Sequence, residues 1–365
     1  MGAESGGEGE GTTVAASLSH VELGEVYRLQ EPGELAEVLC LLDEATSADT
    51  HRALGEHKWL DLVQGGRRGY AGYAIRDTRS GRIAGYAHLS RGRESFSVEI
   101  VVRPAYRDNL MEVGEPLLGE VLSTIETSGS LPLHLWIAKP TVEHDRLAAK
   151  LGFDRHRDLY QMRLALPGPD AGGHDETNET NRSGDPAISG DESRAGIGAE
   201  PSPGSGTGSR EEASPGSGAA VRAFLPGRDE AGWLALNNRA FEGHPEQGGW
   251  DMETLLDRER ESWFDPNGLL LYEIGSRLVG ACWTKIHTES EPAMGEIYVI
   301  CIDPAYQGRG LAAGLLRAGL DHIASQGLKT AMLYVDEGNG PAVRLYKAFG
   351  FSVNHIDRAF VHKHA

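Results

Sequence analysis

The stretch Ile300-Cys301-Ile302-Asp303-Pro304-Ala305-Tyr306-Gln307-Gly308-Arg309-Gly310-Leu311-Ala312 reads as a strand, a turn and the start of a helix. Glycines at 308 and 310 let backbone amides face a ligand without interference from a Cβ. The free N–H groups and positive dipole end of the helix behind them make an anion site, to which Arg309 adds charge. A dinucleotide-binding turn wants its third glycine three residues on. Here the next is Gly314, one residue late, and no acid stands at a ribose distance. A P-loop signature is also missing, which excludes that nucleotidase class. Taken alone, the pattern fits an ordinary glycine-rich turn as well as a phosphate cradle. The loop His244-Pro245-Glu246-Gln247-Gly248-Gly249-Trp250 is a polar, rigid turn with a carboxylate near its middle, and on its own reads as surface.

The elements that must hold these residues follow from periodicity and punctuation. Leu269–Glu273 and Leu278–His287 are strand candidates split by a turn at Gly275-Ser276. Glu296–Ile302 is a β-branched run ending at Asp303-Pro304. A helix follows, with Leu311, Leu315 and Ile323 on one stripe and Gly327 as its stop. Thr330–Val335 is another strand. Asn339 sits where an N-cap belongs, Pro341 lies in the first turn and Gly350 follows the last. Phe351–Val361 closes the set. The fold class expected is α+β, with a mixed, mostly antiparallel sheet flanked by helices.

This pattern occurs twice. Arg82–Ala87 matches Arg277–Cys282, Val102–Tyr106 matches Ile302–Tyr306, and Leu151-Gly152-Phe153 matches Phe349-Gly350-Phe351, at offsets of 195, 200 and 198. Three ordered matches at nearly constant offset imply a tandem duplication. Residues 167–220 hold 12 Gly, 6 Pro and no aromatic residue, so they bury too little to offset the entropy of ordering. The expected organisation is a disordered tail (1–17), a first domain (18–166), a disordered acidic linker (167–220) and a second domain (221–365). The net charge of −19 argues against coating nucleic acid or an anionic membrane. Tail and linker carry −10 of it, which leaves the two domains modestly acidic. Cys40, Cys282 and Cys301 are too few and too far apart for a disulfide framework or structural zinc. No metal is expected. Reduced thiols and a first stretch without a basic region or apolar run point to the cytoplasm.

Gln307-x-x-Gly310-x-Ala312 resembles the pyrophosphate loop of the GCN5-related N-acetyltransferase (GNAT) family, and Asn339–Phe351 resembles the same family's closing motif, in the same order and spacing. The resemblance covers nearly all of 221–365 and, more faintly, 18–166. It implies acetyl-CoA as co-substrate, held by Ile300, Cys301 and Ile302 through backbone pairing. Gln307, Gly308, Arg309, Gly310, Leu311, Ala312 and Ala313 would hold it at the pyrophosphate, and Asn339, Gly340, Pro341, Ala342, Val343 and Arg344 beside it. Glu296 resembles the family's general base and Tyr346 the tyrosine that protonates the departing thiolate. The His244–Trp250 loop, Trp263-Phe264-Asp265-Pro266 and Trp283-Thr284-Lys285-Ile286-His287 are similar to a tandem-domain branch of the family. That branch acetylates the cysteinyl amine of a cysteine–glucosamine–inositol conjugate. Glu246, Lys285, Glu296, Tyr334 and, on less distinctive surroundings, Glu56 would contact this substrate.

The first domain departs from the pattern. The offsets set Phe96 against Glu296 and Ala148 against Tyr346, and Arg107–Glu112 replaces Gln307–Ala312. Base, acid and phosphate-loop glycines are missing together, so this domain is expected to be non-catalytic. A monomer acting on a small molecule is expected. The alternatives are a GNAT enzyme for another small amine and a non-catalytic acyl-CoA sensor.

Overall fold

The computed structural model describes residues 21–49, 51–64, 70–92, 94–127, 131–167, 219–243, 247–288 and 292–363. The tail expected at 1–17, nearly all of the linker and Glu246 lie outside the described residues. In chain order the elements are β1 (Tyr27–Arg28), α1 (Pro32–Asp49), α2 (Glu56–Gln64), β2 (Ala71–Arg76), β3 (Ile83–Arg91), β4 (Phe96–Val102), α3 (Leu110–Glu126), β5 (Leu133–Ala138), α4 (Val142–Lys150) and β6 (Asp154–Ala165). The second repeat supplies β7 (Ala219–Ala223), α5 (Glu230–Ala240), α6 (Met252–Glu259), β8 (Leu269–Ile274), β9 (Arg277–His287), β10 (Met294–Ile302), α7 (Leu311–Ser325), β11 (Thr330–Asp336), α8 (Gly340–Ala348) and β12 (Ser352–His362). The fold is the α+β architecture expected, with antiparallel pairings and a parallel β4–β5 pair. Ala219 and Ala220, assigned to the linker from composition, begin β7 and pair with Ile274 and Glu273. No helix among the described residues is long and apolar enough to cross a membrane.

Contacts group the chain into two compact units that differ from its two sequence repeats. One gathers the chain up to Leu164 with Met332–Ala365, the other Ala165–Thr288 with Ala293–Ala331. The reason is an exchange of closing strands. In the first unit β12, the last strand of the second repeat, lies between β5 and β6 and is antiparallel to both. Its Phe360 joins the first repeat's core with Leu133, Leu135 and Phe153. Arg358 on β12 donates to Asp158 on β6 at 2.9 and 3.0 Å and to Asp145 on α4 at 2.7 Å. β6 in turn adjoins β11. The matched halves 18–166 and 221–365 therefore record the duplication, while packing follows the exchanged strands.

The second unit is a meander in the order β10-β9-β8-β7. α7 covers one face, where Gly319 comes so close that an added Cβ would lie 2.6 Å from Cys282 Sγ and 3.0 Å from Ile297 Cδ1. α5 and α6 cover the other, through Trp233, Leu236 and Leu255 against Leu271, Trp283, Val299 and Cys301. β10 carries one irregularity. Ile297 pairs with Thr284 and Val299 with Trp283, so Tyr298 is an inserted bulge residue. The bulge resets the alternation of the strand. Ile297 faces α7, whereas Tyr298, Val299 and Cys301 all pack on the α5–α6 side.

Candidate active site

Glu296 stands directly opposite Lys285 across β9–β10, on the face away from α7. Both are nearly buried, at 8% and 2% exposure. Lys285 Nζ lies 4.3 Å from the Trp263 ring centroid and 5.5 Å from that of Tyr298. Such desolvated cation–π contacts contribute about 2 kcal/mol. The rings belong to a larger aromatic set: Trp263 and Tyr298 each pack on Trp283, at 5.8 and 5.6 Å, and Trp283 meets Trp233 edge-on at 5.3 Å. The Glu296 carboxylate takes a hydrogen bond at 2.7 Å between its Oε2 and His287 Nε2. Among the described residues its Oε1 has no hydrogen-bond partner. One face of two strands thus offers a carboxylate with one oxygen held and one open, beside a fixed ammonium.

In the same unit β10 runs into the glycine-rich turn. Asp303 accepts from the Ala305 N–H at 3.0 Å and from Arg239 at 2.9 Å. Burial would raise its carboxyl, but these donors outweigh burial and hold it below the usual range. Gly308 and Gly310 both adopt left-handed backbone, with φ of 76° and 75°, and Gly310 is the N-cap of α7. No atom lies within 4 Å of where a Cβ would stand on either. The two left-handed glycines thus stand clear of neighbouring side chains, as a phosphate cradle requires. Arg309 lies across the Tyr306 ring at 4.9 Å, donates to the Ala305 carbonyl and has no carboxylate partner among the described residues. Burial pushes the thiol of Cys301 up to about 12 and that of Cys282 higher, so neither is a thiolate at neutral pH. That removes both as covalent acyl carriers.

Tyr334, Asn339–Arg344 and Tyr346 lie in the other unit. Tyr334 on β11 is 39% exposed, and its hydroxyl accepts from Gln161 Nε2 at 3.1 Å. Asn339 caps α8 by accepting from the Ala342 N–H at 3.3 Å, and Arg344 is exposed one turn on. Tyr346 is buried on α8 and meets Phe351 edge-on at 6.0 Å. Glu56 begins α2; its side chain, like all of Glu246, lies outside the described residues.

The first repeat replaces each feature. β4 pairs with β3 in unbroken register, Val102 opposite Gly85 through Phe96 opposite Arg91. Because it lacks the bulge, the counterpart of the Glu296–Lys285 pair is Ser97 opposite Ser90. Constant sequence offset instead sets Phe96 against Glu296, one residue off; Phe96 is in the hydrophobic core. At the turn, Asn109 has φ −109°, and Arg107 is bound to Asp49 by two contacts of 2.6 Å. Ala148, against Tyr346, is a fully buried alanine. Two features of the second repeat had no signal in composition: the His287–Glu296 contact and the bulge that brings Tyr298 to the Lys285 side. Their residues stand in the quoted motifs, but cross-strand register, not spacing along the chain, makes them neighbours.

The acetyltransferase (GNAT) family profile matches residues 233–351. A mycothiol acetyltransferase from Acidimicrobium ferrooxidans is 38% identical over 322 residues, which is 88% of this chain and 91% of that protein. One from Thermobispora bispora is 37% identical over 326 residues, covering 88% and 94%. Among solved structures, a GCN5-related N-acetyltransferase from Sphaerobacter thermophilus superposes with a TM-score of 0.64 at 20% identity, covering 93% of this chain and 95% of that one. A tandem GNAT protein from the clavulanic acid biosynthesis pathway gives 0.61 at 16% identity, covering 94% and 98%. These two establish the fold.

Proposed function

The chain belongs to the mycothiol acetyltransferases within the GNAT family, and from that premise we propose how its residues divide the reaction. It is an acetyl-CoA-dependent N-acetyltransferase of mycothiol biosynthesis. The acceptor is the cysteinyl amine of the cysteine–glucosamine–inositol conjugate. The amine nitrogen attacks the thioester carbonyl, the C–N bond forms and the C–S bond breaks. Glu296 accepts the proton lost from nitrogen on Oε1, directly or through a water, and Tyr346 returns one to the coenzyme thiolate. The backbone of Ile300–Ile302 polarises the carbonyl. The amides and side chains of Gln307–Ala313 bind the pyrophosphate, and Asn339–Arg344 lies along the coenzyme. Glu56, Glu246, Lys285, Glu296 and Tyr334 contact the acceptor. The first repeat is non-catalytic, and the protein acts as a cytoplasmic monomer without nucleic acid or membrane.

The observation that carries this reading is the Glu296 carboxylate, held through one oxygen and open at the other, on the strand that leads into the left-handed glycine turn. The test is incubation with acetyl-CoA and the cysteinyl conjugate, followed by mass spectrometry. Acetylation on nitrogen, with other small amines turned over far more slowly, is the expected result. Equal turnover of unrelated amines, or coenzyme binding without product, would overturn it.

A further inference from the structure

We propose that His287 is a positioning residue for Glu296: its Nε2–H holds Oε2 and so fixes Oε1 as the atom that receives the substrate proton. This rests on the reading of Glu296 as the base. His287 is the last residue of β9, and its strand partner is Met294, two residues before Glu296. The contact is a cross-strand diagonal, a separation long side chains span. The contact is short, 2.7 Å, and both side chains are largely covered, at 14% and 10% exposure. A hydrogen bond to an ionised acceptor in such surroundings is stronger than one in water.

The geometry separates the two carboxylate oxygens. A glutamate side chain has three rotatable bonds and loses rotamer freedom when fixed. Here a second residue of the same sheet face does the fixing, so the order is built before substrate arrives. Lys285 stands directly opposite Glu296, yet its ammonium lies over the rings of Trp263 and Tyr298. The partner of Oε2 is therefore a group that donates one proton in one direction, rather than a three-donor ammonium. The first repeat has Gly92 at the place of His287 and Ser97 at the place of Glu296, so donor and carboxylate are missing together.

The test uses the full chain with His287→Ala, His287→Gln, Glu296→Gln and the double variant Glu296→Gln/His287→Ala. Glutamine carries an N–H donor near the place of Nε2. Removing the donor is expected to lower kcat about 10–100-fold, as loss of an orienting partner does elsewhere. KM for both substrates should stay within about threefold, because an interaction that acts in the transition state leaves ground-state binding alone. His287→Gln should recover most of kcat. In the Glu296→Gln background, His287→Ala should cost less than about twofold, since a group acting through another is non-additive with it. An unchanged kcat for His287→Ala and His287→Gln, while Glu296→Gln is slow, would overturn the positioning role and leave the base assignment standing. So would a His287→Ala loss that multiplies fully with Glu296→Gln. Full activity of Glu296→Gln would overturn the base and the positioning role together.

Discussion

The two repeats place different chemistry on the same strand face. In the first, Glu99 is closed on both oxygens, by Lys58 at 2.6 Å and by the Gly55 N–H at 2.7 Å. His88, opposite Glu99, is fully buried, with Nδ1 2.9 Å from Tyr86 Oη and Nε2 3.8 Å from Asp61. Arg107, at the turn, is tied to Asp49. In the second, Trp283 stands in the place of His88 and Val299 in that of Glu99. The carboxylate has moved two pairs along, to Glu296, and keeps one oxygen open. The difference is one of satisfaction. Glu99 has a partner on each oxygen and so stabilises; among the described residues Glu296 has one on Oε2 alone, which leaves Oε1 open and makes a site.

The largest test of this contrast is at the carboxylate. Glu296→Gln should lower kcat by about 10²–10⁴, the range of a general base. Ser97→Glu, which restores the carboxylate at the equivalent place of the first repeat, should create no second activity and should leave that loss unrepaired. Steady-state rates on both single variants and their combination decide it. A rescue by Ser97→Glu would mean that the first repeat retains a working site.

Next in size is the turn. Gly310→Val forces a β-branched residue into left-handed backbone, at a cost of about 1–2 kcal/mol or more. If the turn binds the pyrophosphate, that cost appears as a KM for acetyl-CoA raised roughly tenfold. Asn109→Gly, at the matching N-cap of the first repeat, should leave that KM unchanged. An equal rise from both would place coenzyme binding in both turns.

Much of this was legible beforehand. The strands and helices of 269–361 fall within a few residues of their expected places, because their boundaries are set by local chemistry: Gly275 at a hairpin, Gly327 and Gly350 at left-handed helix ends, Asn339 at a cap. The glycine turn was legible for the same reason. The exchange of β6 and β12 was not, since strands of both repeats share one alternation and nothing in 154–165 or 352–362 names a partner. Nor was the bulge. One inserted residue shifts the equivalence of Glu296 from Phe96 to Ser97 and changes which side chains share a face. Register is a property of two strands, and sequence displays one at a time.

The smallest effect concerns how each repeat responds to acid. Burial holds the His88 imidazole below its usual pKa, with Asp61 opposing. A depressed folded pKa means that the unfolded chain binds a proton more readily than the folded one. Above the unfolded value of about 6.5 both states are neutral and the stability is fully present; as pH falls below it, that stability is lost, down to the folded pKa. Burial depresses His51 and His144 in the same direction, so the wild-type slope does not belong to His88 alone. The test is therefore a difference. Tm of wild type and of His88→Gln, measured from pH 7.5 to 5, should converge as pH falls, because the variant has one proton fewer to take up on unfolding. Parallel curves would mean that His88 titrates alike folded and unfolded. Trp283, in the corresponding place of the second repeat, has no proton to exchange, so the same experiment on Trp283→Phe should shift Tm without changing its slope.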